Sequence, residues 1–303
     1  MKKIYVGPKQ TTIENSDFFN DSITLFKDKA NFDYWNPDTN PLQILLYNER
    51  IAKLTESTEI MAHNPRLVNE CVLPEYVHQI CKNSMPLLEI LDDKNQTHKL
   101  MQNIVPMLDY YIIRGQDFDY CKLCDISKEL VVQLPVGSGG SKTYLVNNNN
   151  YKQIKLISDC EYSLSAYQRD NVSYNIHCVI NSEQIEIFAP SKQELEISNI
   201  IEYMGNDFEI DISNDVKNKL IQYSTNICKK IQSMGYLGVV GIDFIYANGE
   251  LYFIEINPRF QGSSRQLDAL LKESNLPSIF DYNYRAFNVK EMPIAKDMLL
   301  SIF

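Results

Sequence analysis

The chain has 303 residues, 44% apolar and 22% charged, enough to bury a sizeable soluble core and more than a single average domain holds. Lys and Arg total 29 against 39 Asp and Glu, and the formal net charge of −10 excludes a phosphate-backbone footprint, hence a nucleic-acid partner. No apolar run reaches the ~18 residues a membrane-crossing helix needs, and Gly7 and Pro8 interrupt the start before a signal-peptide core forms. The expectation is a cytoplasmic protein with no membrane partner.

Seven scattered cysteines point to reduced thiols rather than a disulfide framework. Cys121 and Cys124 form a CxxC, but no second ligand pair stands at zinc spacing, so two partly buried thiols at a strand edge are expected.

In chain order, a short strand at residues 3–6 opens a stretch in which polar turns alternate with apolar segments such as 43–47 and 60–62, suggesting a small α/β lobe. From Asp93, the positions of Leu100, Met101 and Ile104 predict a helix that Pro106 stops. YYIIRG, ELVVQLPV, TYLV, YSLSAYQ and VSYNIHCVI then read as strands of a small antiparallel sheet, with residues 147–150, four asparagines, as a solvated turn. A further strand from Ser191, a helix near 214–234, a hairpin and a last helix after Ser264 complete the reading.

The hairpin, GVVGIDFIYANGELYFIEINPRF, carries the chemistry. Glu255 and Asn257 are two apart on one strand and so share a face. Asp243 joins them only if it sits opposite Glu255, which an odd-length connection such as 248–250 would achieve and a two-residue Asn-Gly turn would not. Asp243, Glu255 and Asn257 are hard oxygen donors suited to Mg2+, with Mn2+ as an alternative, held together with waters and nucleotide phosphates. Carboxylates embedded in apolar strands are costly unless a cation compensates.

Upstream, VVQLPVGSGGSKTYLV imitates a P-loop but has Ser141 and Val136 where that motif requires glycine, and strand follows where a helix should. Strand, glycine-rich turn and strand describe a lid whose Ser138, Gly139, Gly140 and Ser141 amides can fold over phosphates.

Lid and hairpin together resemble the ATP-grasp superfamily over roughly residues 90–285. The resemblance implies an α+β ATP-grasp fold: two α+β subdomains clamping ATP (93–168 with the lid, 169–303 with the metal and acyl site), preceded by a small α/β domain (1–92). It also implies that Asp243, Glu255 and Asn257 are the metal ligands. Lys94, or Lys99 in its place, resembles the lysine that reaches ATP phosphate. Gln133 stands where a second phosphate lysine is usual, a departure that removes a charge. Residues 165–168 resemble the interdomain hinge, with Ala166 and Gln168 offering main chain to adenine. Ser173, Asn175 and His177 alternate along the next strand; Asn175 is assigned to the nucleotide and His177 to structure.

The implied activity is ATP-dependent activation of a carboxylate as an acyl phosphate, then transfer to an amine or carrier-protein thiol. APSKQELE and EYMGNDF resemble the branch associated with natural-product or peptide biosynthesis, implying an amino-acid or peptide substrate; a homodimer is allowed. Arg259 would hold the carboxylate, and Gly262 and Ser263 would present amides at a helix start to developing negative charge. Arg265 would meet a second carboxylate or solvent. Phosphorylation or carboxylation of a small acid, and nucleotide binding without turnover, are the competing functions.

Overall fold

The computed structural model describes residues 1–26, 40–137, 142–289 and 291–294. Its first sheet is parallel, with strands β1 (Lys2–Lys9), β2 (Asp21–Phe26), β3 (Thr58–Ala62) and β4 (Val77–Ile80) in the order β2-β1-β3-β4. Helix α1 (Asn40–Ile51) and the single turn α2 (Pro65–Asn69), capped by Asn64, accompany it. Ile4, Val6, Ile60, Tyr47 and Ile51 form its core. The segments expected at 43–47 and 60–62 are α1 and β3; β2 and β4 escaped the sequence reading because they are short and only partly apolar.

Helices α3 (Met85–Asp92) and α4 (Lys94–Met101) follow, and Asp93 caps α4 by accepting from Gln96 N at 3.0 Å. A second sheet is antiparallel, from β5 (Tyr110–Arg114), β6 (Glu129–Gln133), β7 (Thr143–Asn147) and β8 (Glu161–Ala166) in the order β5-β8-β6-β7. The short helix α5 (Tyr120–Leu123) precedes β6, so Cys121 and Cys124 lie at a helix rather than at the expected strand edge; both are free. The asparagine turn is less solvated than expected. Asn150 is buried, and its Nδ2 donates to Leu145 O and Asn199 Oδ1.

VSYNIHCVI leaves that sheet. It forms β9 (Val172–Ile180), the middle of a third sheet with β10 (Ile185–Ile187), β11 (Ser191–Ile197), β12 (Ile201–Asp207), β13 (Gly238–Ala247) and β14 (Glu250–Asn257). The main path runs β12-β11-β9-β13-β14, with β10 paired to β9. Helices α6 (Asn214–Ser233), α7 (Ser264–Glu273) and α8 (Ile279–Asn288) complete the fold.

Side-chain alternation divides the third sheet cleanly. Ile176, Cys178, Val240, Ile242 and Phe244 face a core shared with Leu88, Leu91 and Met101 of α3 and α4 and with Leu220, Ile227 and Ile231 of α6. Residues on both sides of position 92/93 therefore belong to one cluster. On the other face Val179 and Val239 pack with Leu267, Leu271, Phe280 and Tyr282 of α7 and α8, and Tyr5 of β1 joins them.

The β13–β14 hairpin turns on Asn248 and Gly249, with φ of 54° and 83°, the left-handed pair that a two-residue type I′ turn requires. Ala247 pairs with Glu250 and Phe244 with Phe253, a register that by itself would send Glu255 to the face opposite Asp243. A β-bulge inserts Ile254, after which Asp243 pairs with Glu255 and Gly241 with Asn257. The convergence expected of an odd-length turn is thus achieved inside the strand.

His98 of α4 secures the bulge, its Nε2–H donating to Ile254 O at 2.8 Å while the ring stacks edge-on against Tyr110 and Phe253. His98→Phe keeps the ring packing but leaves a part-buried carbonyl without its donor. Urea unfolding should show a loss of about 1–3 kcal/mol, and unchanged stability would mean the bulge holds without it.

Candidate active site

A cleft of about 250 Å³ lies between the second and third sheets. Lys94, Gln133, Ala166, Gln168, Asp243, Glu255, Asn257, Arg259, Gly262 and Ser263, all expected from sequence, line it. Asn175 does not: it is 1% exposed and lies behind the wall. Ser138, Gly139, Gly140 and Ser141 are outside the described residues, although Gly137 and Thr143, on either side, border the cleft.

The hairpin row is tightly bonded. Asn257 Nδ2 donates to Asp243 Oδ2 at 3.2 Å and to Glu255 Oε1 at 3.3 Å, while its Oδ1 accepts from Arg259 Nη2 at 2.7 Å. Lys94 Nζ stands 2.7 Å from Glu255 Oε2 within the cleft, whereas Lys99 is exposed and is not among the lining residues. Burial first, and then the neighbouring Glu255 carboxylate, push the Asp243 carboxyl upward. Burial works the same way on Glu255, but the Lys94 ammonium, with Asp243 and then Arg259 adding to it, outweighs burial and holds that carboxyl below its usual range.

Among the described residues lining the cleft, the charged ones are Lys94, Arg259, Asp243 and Glu255. The buried Asp243 and half-buried Glu255 carboxylates, side by side with the Asn257 side chain, whose amide could turn its oxygen toward them, suit a hard divalent cation that keeps some waters or phosphate oxygens. No cage of three or more His, Cys, Asp or Glu forms among the described residues.

The turn after β14 is fixed from beneath. Gln261 N donates to Ser264 Oγ at 2.9 Å, and His177 Nε2 lies 3.2 Å from the same hydroxyl. Gly262 lies under the Tyr203 ring, where a Cβ would come within 3.2 Å of it. Helix α7 starts at Ser264, so Gly262 and Ser263 do stand at a helix N-terminus. Gly241 is constrained for a different reason: a Cβ there would lie 1.5 Å from Gln261 Nε2. Arg265 turns outward and pairs with Glu14.

At the far end, Asn248 Nδ2 donates to Gln168 Oε1 at 3.1 Å and Asn171 Nδ2 to Gln168 O at 2.7 Å, so the hairpin turn is tied to the segment between β8 and β9. Lys94 N donates to Pro135 O, and Leu145 N to Asn199 O, joining the second sheet to its surroundings on both sides.

Sequence reasoning missed Gln193, Tyr203, Asn206 and Gln261, which also line the cleft. Tyr203 Oη donates to Asn206 Oδ1, and Asn206 Nδ2 to Ser191 Oγ at 2.7 Å. The period-two pattern of Gln193 and Leu195 was the available signal; Gln261, beyond the strand, offered none.

Residues 91–263 match the family model of an ATP-grasp domain, more than half of the chain. The chain belongs to the ATP-grasp family. Its ATP-grasp fold resembles N5-carboxyaminoimidazole synthetase from Staphylococcus aureus in complex with ADP, with a TM-score of 0.62 and 15% identity over 97% of this chain and 79% of that one. It likewise resembles an L-amino acid ligase from Bacillus licheniformis, with a TM-score of 0.64 and 11% identity over 96% and 75% of the two chains. These are likenesses of fold. A 68-residue stretch is 37% identical to the carbamoyl phosphate synthase large chain of Lachnoclostridium phytofermentans, covering 22% of this chain but 6% of that protein. Among the described residues of this ATP-grasp chain, no helix is long and apolar enough to cross a membrane.

Burial lowers both His63 and His177 to about 3, with Arg259 and then Lys9 adding to the effect at His63. Both stay neutral in the folded ATP-grasp core and take up protons near 6.5 when unfolded. Below pH 6.5 the unfolded chain therefore binds more protons, and stability falls as the pH drops from 6.5 toward 3. Each histidine contributes at most about 1.4 kcal/mol per pH unit. Urea midpoints at pH 7 and pH 5 should differ less in His177→Asn than in the wild type; parallel curves would refute the linkage.

Proposed function

We propose that this chain is an ATP-dependent ligase that converts a carboxylate into an acyl phosphate and passes the acyl group to an amine or thiol, releasing ADP and phosphate. The observation that carries this reading is the continuous row Asp243, Glu255, Asn257 and Arg259 leading into the 261–264 turn, within one cleft. The ADP bound to the Staphylococcus aureus relative and the activity named for the Bacillus licheniformis one support it.

ATP occupies the cleft with adenine at the 165–168 hinge and phosphates toward Lys94 and the hairpin row. Mg2+, or Mn2+, held by Asp243, Glu255 and Asn257, would neutralise phosphate charge and align the terminal phosphoryl group. The chain's own part is placement. Lys94 offers an ammonium beside Glu255, and Arg259 presents a guanidinium whose Nη2 is anchored on Asn257, leaving Nε without a partner. That guanidinium orients the substrate carboxylate, whose oxygen attacks the γ-phosphorus as ADP leaves. The amine or thiol then adds to the acyl carbon and phosphate departs, with the amides of Gly262 and Ser263 facing the developing oxyanion.

A small amino-acid or peptide carboxylate, an amine or carrier-protein acceptor, a cytoplasmic setting and a role in natural-product or peptide biosynthesis belong to this proposal; homodimerisation is compatible with it. Gln133 at the cleft wall favours a second reading, nucleotide binding without turnover, because it supplies no charge to the phosphates. ADP release with pooled amino acids and amine acceptors separates the two.

Glu255→Gln should abolish ATP turnover while the melting temperature holds; full magnesium-dependent activity in the variant would remove the metal assignment. Arg259→Ala should lower kcat by about 100-fold or more with ADP affinity nearly unchanged. Equal losses in kcat and nucleotide affinity would place Arg259 on the nucleotide instead.

A further inference from the structure

Resting on the nucleotide-metal reading above, we infer that Asn175 is a positioning residue that locks the metal carboxylate Asp243 to the turn bearing the acyl end of the site. Pairing between β9 and β13 sets Asn175 directly opposite Asp243, and pairing between β13 and β14 sets Asp243 opposite Glu255, so the three side chains form one row across three strands. Asn175 is 1% exposed and touches no part of the cleft surface. Its Nδ2 spends both hydrogens within the protein, one on Asp243 Oδ1 and one on Gln261 Oε1 at 2.8 Å.

Gln261 is held in turn by the space over Gly241, which no side chain can share. Two residues along β9, His177 grips the same turn through Ser264 Oγ. Asn175 also receives a hydrogen bond from Ser191 Oγ on its own carbonyl, and Ser191 accepts from Asn206, the partner of Tyr203 over Gly262. One buried residue thus joins the carboxylate and the turn through its side-chain amide and the strand that roofs the turn through its main-chain carbonyl. A strand is a stiffer support than the loop it holds, so the spacing between metal and acyl group is set by β9.

The same buried amide group fixes which Asp243 oxygen remains available. Oδ1 is bonded to Asn175 and Oδ2 to Asn257, and only the second bond comes from a residue that is itself a metal donor. Removing the Asn175 donor frees the Asp243 carboxylate to rotate and releases Gln261 at the same time. Loss of such an outer partner costs on the order of tenfold or more in metal affinity.

The test uses Mn2+ and ADP on the full chain, with Mn2+ binding read by electron paramagnetic resonance and ADP binding without metal read by calorimetry. Asn175→Leu should weaken Mn2+ binding in the presence of ADP by about tenfold while metal-free ADP affinity and the melting temperature hold. Gln261→Leu should weaken it less, and the double variant should be no worse than Asn175→Leu, because both cut the same link. Asn175→Ser, whose single hydroxyl hydrogen cannot serve both acceptors, should fall between wild type and Asn175→Leu, and it carries the test if the leucine variant does not fold. Unchanged Mn2+ affinity in both Asn175 variants, or strictly additive losses in the double variant, would overturn the inference. Wild-type protein that fails to bind Mn2+ with ADP would instead overturn the nucleotide-metal reading on which it rests.

Discussion

The pairing of β9, β13 and β14, with one extra residue at Ile254, is the constraint from which the site follows. Strand geometry allows a side chain only two directions, so a single inserted residue decides whether Glu255 meets Asp243 or the apolar core. With the insertion, the carboxylates meet on the cleft face while Ile242, Phe244, Phe253 and Ile256 stay in the core. The burial that makes the hairpin rigid also makes the Asp243 carboxylate costly without a cation, whereas Glu255 already has Lys94, and stability and binding are therefore opposed at Asp243.

The cleft is assembled from parts that answer to different forces. Its floor is a sheet held by core packing on both faces. Its roof is a separate sheet whose own core, around Leu130, Val132 and Leu164, shares no residue with the floor's. The two meet through a few hydrogen bonds, at Lys94 with Pro135 and at Leu145 with Asn199. A cleft between two independently packed layers is where a ligand can be taken up without opening either hydrophobic core.

Much of this was legible in the sequence because it is local. Two residues of spacing sufficed for Glu255 and Asn257, and Asp93 marked the start of α4 at Lys94, but the helix ends at Met101, so the expected stripe through Ile104 to a stop at Pro106 overran it. What failed was long-range or fell between periods. The hairpin turn is the two-residue form that its Asn-Gly composition suggested, but the bulge at Ile254 leaves no local mark, since IEIN alternates as a plain strand would. Asn175 resembled a ligand because it alternates with Ser173. Only the neighbouring strand reveals that its amide is consumed by Asp243 and Gln261. Gln261 is buried but reaches the cleft from a loop with no period to read, and Tyr203 and Asn206 reach it from an edge strand where burial is partial. β9 was grouped with the wrong sheet because strand pairing, unlike strand formation, is not written in any one segment.

Gly241 shows how far such dependence extends. It has no side chain and offers no group to a ligand, yet the void above its Cα is occupied by the Gln261 amide. In a screen of random variants for loss of activity, this position would be recovered among the ligand-binding residues, and a chemical reading of its side chain would find no cause. The information lies in shape: the empty volume at one strand position is the mould for a side chain twenty positions later.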